Sequence, residues 1–327
     1  MHHVRYKQDQ FDTRVLANND PSQFSGVDVI IVGQGRSGTT FIGELFNNHP
    51  DVFYVFEPLI FTAKRLNLNI FYDNETLEYR SEISSTLASF LTCNFTSSKD
   101  PVRRLIDSPF HLQSNALKKF AFVQTNRKST IELSLNLSRV CKEYRHRVMK
   151  ILSGRLSNVS IDSLGNIVTD SLSRNRELKI IHLVRDPRAV VHSWMRYSWI
   201  KSSNDSQFIR NIKRICEPVD KNLRLGDNPP NWLINRYKLI RYEKMVESPF
   251  ETAKELYKFV GIKMSPEVRS WIESRNKVPS QEELNNSHST TRLANSTMNK
   301  WKVKLSRYTK MVIETACSNV MKRLNLI

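Results

Sequence analysis

A glycine-rich turn between residues 33 and 40 is the stretch in which residue types and spacing most directly suggest chemistry. The apolar run VDVIIV leads into glycines at positions 33, 35 and 38, and a helical apolar pattern then resumes. Between and after these glycines lie one guanidinium and three hydroxyl groups, from Arg36, Ser37, Thr39 and Thr40. Because the N-terminus of a helix attracts anions, the turn predicts an anion-binding loop.

Three interpretations of this turn compete. The spacing G-x-G-x-x-G is that of a dinucleotide fingerprint, and Glu57 lies about 20 residues further on, where that motif places an acidic residue. The spacing also fits a P-loop of nucleoside triphosphatases, but Thr39 stands where the phosphate-binding lysine belongs. The third interpretation, a cradle for an anion bound without a metal ion, agrees best with the arginine and the hydroxyl groups. The structural alternative is a strand-to-helix turn with incidental glycines.

A second basic segment, KIIHLVRDPRAVVHSWM (179–195), combines a strand pattern, a turn with Arg185 and Arg188, and a helix that carries Ser193. In an open parallel sheet, ligands bind at the carboxyl ends of the strands, so Arg185 is predicted to share an edge with the first loop. Two anion-binding segments on one edge indicate a ligand with two separated anionic groups. The alternative is a surface pair of arginines at a helix start.

The elements that must position these residues alternate between strands and helices. Strand patterns cover VDVIIVG (27–33), VFYVF (52–56), LKIIHLV (178–184) and RYKLIRYE (236–243). Helical patterns run from Thr39 to about Asn48, from Pro187 to about Trp199, and over residues 249–260 before Gly261. This alternation predicts an α/β fold, with one domain built on a central, mainly parallel sheet flanked by helices. Residues 60–175 are less regular, and residues 276–296 are predicted to form a polar surface loop.

Composition limits the class of protein. The chain has 327 residues and a formal net charge of +18, which favours anionic partners or a solvated basic surface. Its four cysteines are far apart and form no zinc-binding pattern, but they allow two disulfides in any of three pairings. Seven N-x-[ST] sequons favour a lumenal or secreted protein; they begin at Asn74, Asn94, Asn136, Asn158, Asn204, Asn285 and Asn295. No apolar stretch is long enough to cross a bilayer.

Taken together, the two basic segments closely resemble the Golgi carbohydrate sulfotransferases that sulfate the 6-hydroxyl of galactose, N-acetylglucosamine or N-acetylgalactosamine. The likeness extends through YKLIRYEKMVESPFETAKELYKFVGI (237–262) and a C-terminal pattern, whereas residues 60–175 match loosely. The C-terminal pattern comprises Trp301, Leu305, Cys317, Val320, Met321 and Leu324. The resemblance implies a P-loop-like sulfotransferase fold over residues 27–327, preceded by a polar segment, 1–26. It also implies 3′-phosphoadenosine 5′-phosphosulfate (PAPS) as donor, with no metal ion.

The same resemblance implies roles for particular residues. The 5′-phosphosulfate loop comprises Gly35, Arg36, Ser37, Gly38, Thr39, Thr40 and Phe41. Arg185 and Ser193 bind the 3′-phosphate, and Tyr242 contacts the nucleotide. Arg36 stabilises the leaving phosphate, and Glu57 is the predicted general base, with a salt-bridge carboxylate as the alternative. Lys150 is predicted to reach the sulfonate if RVMKIL is a strand beside the sheet; otherwise it is a surface lysine.

The resemblance further implies a glycan or proteoglycan acceptor, no nucleic-acid partner, and disulfides Cys93–Cys141 and Cys216–Cys317. The location implied is the Golgi lumen, with membrane attachment only through an N-terminal anchor that this chain does not contain, or else secretion. The pattern leaves the oligomeric state open. Three alternatives remain: a tyrosylprotein sulfotransferase, a non-catalytic binder of nucleotide or sulfated glycan with the same fold, and an NAD-dependent oxidoreductase.

Overall fold

Five parallel strands form the centre of the protein in a computed structural model, which describes residues 25–65, 76–96, 105–123, 129–201, 206–275 and 298–327. The strands are β1 (Val27–Gly33), β2 (Val52–Phe56), β3 (His146–Leu152), β4 (Glu177–Val184) and β5 (Tyr237–Arg241). Their order across the sheet is β2-β3-β1-β4-β5, and each neighbouring pair is parallel. The predicted α/β fold with a parallel sheet is therefore confirmed.

Helices connect the strands and cover both faces of the sheet. The first half of the chain contains α1 (Thr39–Asn47), α2 (Ile60–Arg65), α3 (Leu77–Thr92), α4 (Asn115–Val123), α5 (Thr130–Glu143) and α6 (Gly165–Ser173). The second half contains α7 (Pro187–Arg196), α8 (Ser206–Asp227), α9 (Tyr242–Glu247), α10 (Pro249–Val260), α11 (Pro266–Arg275), α12 (Lys300–Lys304), α13 (Arg307–Ala316) and α14 (Ser318–Arg323). Within the described ranges, none of these helices is both long and apolar enough to span a bilayer.

The two faces of β1 belong to different hydrophobic clusters. Ile30 and Val32 pack with residues of α3, α5 and α6, whereas Val29 and Ile31 pack with residues of α1 and α10. Every residue of β1 is buried, as expected for a parallel strand covered by helices on both sides. This rigid centre holds the end of β1, and therefore the glycine-rich loop, in a fixed position.

Register places the carboxyl ends of all five strands along one edge. Gly33 of β1 lies opposite Leu152 of β3 and Leu183 of β4. Phe56 pairs with Lys150, and β4 continues in register with β5 to their last residues. The residues that follow the strands are therefore neighbours on this edge, in the spatial order Glu57, Ser153, Gln34, Arg185 and Tyr242.

Two disulfides join helices to one another. Cys93, at the end of α3, pairs with Cys141 of α5, and Cys216 of α8 pairs with Cys317, which precedes α14. Both pairings implied by the family resemblance are therefore confirmed. The closed loops span 48 and 101 residues, and loops of such length restrict the unfolded chain by roughly 4–5 kcal/mol each in the chain-entropy model.

Several predicted boundaries differ from the structure. The helix after β4 ends at Arg196 and not at Trp199, because Ser198 has a left-handed φ of 57°. β5 ends at Arg241, and Tyr242 begins a helix where a continued strand was predicted. The irregular middle region contains β3, which occupies an interior position in the sheet.

Some predictions fall outside the described residues. These are most of the polar N-terminal segment, the surface loop at 276–296, and the sequons at Asn74, Asn204, Asn285 and Asn295. Of the remaining sequons, Asn94 and Asn158 are exposed, and Asn136 is half-buried in α5.

Candidate active site

The loop between β1 and α1 contains two residues in the left-handed region of the backbone. Arg36 has a φ of 71°, and Gly38 has a φ of 99°. The Ser37 hydroxyl and the Ser37 N–H both donate to the Gln34 carbonyl, at 2.6 and 3.1 Å, and so close the turn. No side chain in the described ranges caps the N-terminus of α1. That helix end is therefore available to an anion.

Arg36 contacts the segment that follows β4, although 149 residues separate it from Arg185. Arg36 Nε donates to Ser193 Oγ at 3.2 Å, and the Arg185 guanidinium donates to the Arg36 carbonyl at 3.0 Å. Arg185 Nε is buried and has no hydrogen-bond partner in the described part of the chain. The structure thus brings together two guanidinium groups, a serine hydroxyl and a helix N-terminus, as the sequence predicted.

Two aromatic residues border the loop. A Cβ atom added to Gly38 would lie 2.3 Å from Tyr242 Cδ2, so glycine is needed both for its backbone angle and for this close approach. The guanidinium carbon of Arg185 lies 4.1 Å from the centre of the Tyr242 ring. Phe41, which is partly buried, packs against Trp271 at a ring separation of 5.2 Å. Tyr242 and Phe41 offer aromatic faces beside the anion-binding groups.

Glu57, the first residue after β2, is buried and held at three points. Its N–H donates to the Lys150 carbonyl at 2.9 Å. One carboxylate oxygen pairs with Lys150 Nζ, and the other pairs with Arg155 Nη1. The backbone has a φ of 47°, a conformation that is rare for glutamate and persists only where surrounding contacts enforce it.

Lys150 is a buried residue of β3, and its interpretation as a surface lysine is wrong. Its side chain is 3% exposed, and Nζ lies 4.3 Å from the centre of the Phe56 ring. Burial, and then the positive charge of Arg36, lower the pKa of Lys150 from 10.5 to about 7. Burial is the larger of these two effects. An ammonium that titrates near neutral pH therefore contacts Glu57 and feels the positive charge of Arg36.

Residues 28–266 match the Sulfotransferase family. The chain belongs to this family. The matched range contains every residue that the sequence predicted for the site, from Gly35 to Tyr242, and the predicted enzyme class is thereby confirmed. The roles of the individual residues stay predictions.

Curated relatives resemble most of the chain. It is 28% identical to carbohydrate sulfotransferase 3 of Tetronarce californica, over 90% of this chain and 71% of that protein. The human protein of the same name is 26% identical, over 90% of this chain and 66% of the relative. Carbohydrate sulfotransferase 1 of Danio rerio is 26% identical, over 90% and 77%. The chain thus spans between 66% and 77% of the length of these three relatives.

Two solved structures align over most of the chain at low identity. The sulfotransferase domain of the Synechococcus PCC 7002 olefin synthase is 18% identical, with a TM-score of 0.44, over 91% of this chain and 97% of that one. Mouse sulfotransferase SULT7A1, complexed with PAP, is 13% identical, with a TM-score of 0.46, over 92% and 85%. These alignments concern the backbone only.

Sequence reasoning missed three residues that shape the site. Trp194 Nε1 donates to the Gly35 carbonyl at 2.9 Å, and Gln34 Nε2 donates to the Ile215 carbonyl at 2.7 Å, so both fix the loop in place. Arg155 reaches Glu57 from the turn after β3. Trp194 directly follows Ser193 in a predicted helix, which was an available signal. Arg155 could have been predicted only if β3 had been assigned firmly as a strand, because Arg155 lies in the turn that follows it.

Other polar residues have structural roles. His182 shares a hydrogen bond of 2.7 Å with the Tyr237 hydroxyl, and burial lowers its pKa to about 3, so it is a neutral core histidine. Arg188 pairs with Asp186 at 2.8 Å and with Glu314 at 2.9 Å, which stabilises the start of α7. Among the described residues, no group of three or more His, Cys, Asp or Glu side chains is arranged to hold a metal ion.

Proposed function

We propose that this sulfotransferase transfers a sulfuryl group from PAPS to a sugar hydroxyl on a glycan or proteoglycan. The proposed position is the 6-hydroxyl of galactose, N-acetylglucosamine or N-acetylgalactosamine. The observation that carries the proposal is the contact of Arg36 with Ser193 and Arg185 beside the uncapped start of α1. Membership in the Sulfotransferase family supports sulfuryl transfer as the reaction.

The site suits a donor with phosphate groups at both ends of a nucleoside. The loop from Gly35 to Phe41 would hold the 5′-phosphosulfate, and Arg185 with Ser193 would hold the 3′-phosphate. The unpartnered Nε of Arg185 supports this fit, because a buried guanidinium donor needs an acceptor. Tyr242 lies between these groups and would contact the nucleoside.

The bound donor supplies an activated sulfuryl group whose leaving group is adenosine 3′,5′-bisphosphate. Glu57 accepts the proton of the acceptor hydroxyl while that oxygen forms its bond to sulfur and the bond from sulfur to the phosphate oxygen breaks. A general base contributes about 10²- to 10⁴-fold to such a step. Arg36 and Lys150 stabilise the negative charge on the transferred group and on the leaving phosphate.

A sugar acceptor and a lumenal location are supported by separate observations. The named relatives are carbohydrate sulfotransferases, and the net charge of +18 suits an acidic glycan chain. The two disulfides and the exposed sequons at Asn94 and Asn158 suit an oxidising compartment. These observations support our proposal that the protein acts in the Golgi lumen, with residues 27–327 as its catalytic domain.

The test is incubation of the purified protein with PAPS and a panel of acceptors, followed by fragmentation mass spectrometry. The panel contains galactose-, N-acetylglucosamine- and N-acetylgalactosamine-terminated oligosaccharides together with tyrosine peptides. Glu57→Gln is the inactive comparison, and Glu251→Gln, at a glutamate that is 68% exposed on α10, is its matched control.

We expect a sulfate on the 6-hydroxyl of a sugar with wild-type protein and Glu251→Gln, and far less with Glu57→Gln. Sulfate found on the tyrosine peptides and on no sugar would identify a tyrosylprotein sulfotransferase. Binding of adenosine 3′,5′-bisphosphate with no transfer to any acceptor would indicate a non-catalytic binder. A melting temperature raised by NADH and not by adenosine 3′,5′-bisphosphate would refute sulfuryl transfer.

A further inference from the structure

Arg155 connects the proposed base to the helical layer beneath it. It ends a short turn, Ser153–Arg155, that follows β3. Its carbonyl accepts a hydrogen bond of 2.8 Å from the hydroxyl of Tyr79, a buried residue of α3. Its guanidinium pairs with Glu57, and its side chain is 11% exposed. The backbone of Arg155 is therefore anchored to α3 while its guanidinium holds the carboxylate.

The two cations on Glu57 are not equivalent. Lys150 contacts one carboxylate oxygen and lies within the field of Arg36, beside the groups assigned to the donor. Arg155 contacts the other oxygen from the turn after β3, and its Nε has no partner in the described ranges. Burial lowers the pKa of Arg155 only to about 10, so its guanidinium stays charged at neutral pH, where Lys150 titrates.

A permanently charged group on one oxygen serves a base better than a titrating one. It keeps the carboxylate in the charged form, and it neither takes up nor releases a proton during the reaction. It also fixes the rotation of a carboxylate whose backbone is already in the left-handed region. The lone pairs that the two cations leave unused are then held in one orientation, which efficient proton abstraction requires.

We propose that Arg155 is a positioning residue that orients Glu57 and keeps its carboxylate deprotonated for abstraction of the acceptor proton. This inference rests on the proposed function, since it assigns Arg155 a role only through Glu57. It assigns no donor-binding role to Arg155, and it distinguishes Arg155 from Lys150, which contacts both the base and the region of the transferred group.

The test measures kcat, both KM values, the pH–rate profile and the thermal shift with adenosine 3′,5′-bisphosphate. Arg155→Gln should lower kcat about 100-fold, the lower end of the contribution of a general base, and leave the donor KM and the thermal shift unchanged. Arg155→Lys keeps a positive charge and should recover about tenfold of that loss. In Arg155→Gln the acidic limb of the profile should move to higher pH, because one cation beside the carboxylate is gone.

Two further variants keep the outcome decisive. Tyr79→Phe removes only the hydroxyl that anchors Arg155 and should lower kcat a few-fold, which tests the role even if Arg155→Gln does not fold. Arg224→Gln, at an arginine that is 58% exposed on α8, is the control and should match the wild type.

The inference is overturned if the kcat of Arg155→Gln stays within threefold of the wild-type value. It is also overturned if all Arg155 variants lose both kcat and the thermal shift while the pH–rate profile stays in place. If the wild type transfers sulfate and Glu57→Gln has a low kcat, but Arg155→Gln has a normal kcat, this inference alone is overturned. A wild-type protein that sulfates no acceptor would overturn the proposed function and this inference together.

Discussion

A buried carboxylate paired with cations lies at each end of the strands: at their amino ends, called the amino edge, and at their carboxyl ends, called the carboxyl edge. The surroundings of the two carboxylates differ. At the amino edge, Asp28 accepts hydrogen bonds from Arg176 at 2.7 and 3.0 Å, and Arg147 lies 3.7 Å away. At the carboxyl edge, Glu57 pairs with Lys150 and Arg155. Both carboxylates are almost fully buried. Ion pairing and burial alone therefore do not distinguish an active site from a structural cluster.

The backbone distinguishes the two edges more clearly. Near the amino ends of the strands, the left-handed residues are Asn175 and Asn235, of a type that tolerates this conformation. In the three residues that follow each strand they are Arg36 and Glu57, of types that rarely adopt it; Val159, with a φ of 50°, lies further along the chain after β3. Buried arginine Nε atoms that lack a hydrogen bond are less discriminating. Arg174, Arg236 and Arg241 have them as well as Arg155 and Arg185, and Arg236 Nε still lies 3.2 Å from a Glu177 oxygen. Strain at chemically active residue types is the better indicator of function here.

The largest expected effect is at the carboxyl edge. Glu57→Gln should lower kcat roughly 10²- to 10⁴-fold, because the acceptor hydroxyl loses its base. The cost in unfolding free energy should be smaller than for the amino-edge variant below, since Lys150 can lose its proton, which leaves one buried cation, Arg155, without a counter-charge, whereas Asp28→Asn leaves two. Initial rates and urea unfolding measure the two quantities. Unchanged rates in Glu57→Gln would show that the two carboxylates have the same, structural role.

The amino edge should show the opposite result. Asp28→Asn leaves Arg176 and Arg147 without their buried counter-charge and should lower the free energy of unfolding by roughly 3–5 kcal/mol. Activity per folded molecule should stay close to the wild-type value, because Asp28 lies at the far ends of the strands. Urea titration with active-site counting tests this; a folded, stable but inactive Asp28→Asn protein would contradict the comparison.

The pH dependence of the reaction tests the state of Lys150. If its ammonium stabilises the transferred group, kcat/KM is highest where the lysine is protonated and falls as the pH rises through its pKa of about 7. The fall should be about tenfold per pH unit and should begin well below 10.5, the ordinary value for lysine. Lys150→Arg should move this descending limb to higher pH, because a guanidinium remains charged there. A profile that is identical in the two proteins would exclude this role.

The smallest expected effect concerns the loop. Gly38→Ala combines a left-handed backbone with a Cβ atom 2.3 Å from the Tyr242 ring, so the loop or the ring must shift. We expect the donor KM to rise about tenfold, which equals roughly 1.4 kcal/mol. Gly261→Ala is the matched control, because Gly261 also has a positive φ, of 70°, but ends α10. Isothermal titration with adenosine 3′,5′-bisphosphate should separate the two; equal weakening in both variants would indicate a global effect.

The sequence predicted the strands that carry the loop and Arg185 because each is a continuous apolar run next to a glycine or a charged turn. It predicted the shared edge of these strands because parallel strands end on the same side of a sheet. The disulfides and the residue roles came from resemblance to a family and not from pattern. β3 stayed a conditional assignment, since HRVMKIL contains two charged residues and alternates poorly.

By itself, the sequence of this protein determined which elements form and which ends carry chemistry, since apolar periodicity and glycine positions are local properties. Only the tertiary structure decided that β3 lies between β2 and β1, and so buries Lys150 beside Glu57 and brings Arg155 to the other oxygen of the carboxylate. Strand order depends on the packing of helices against both faces of the sheet, and no pattern within a single segment contains that information.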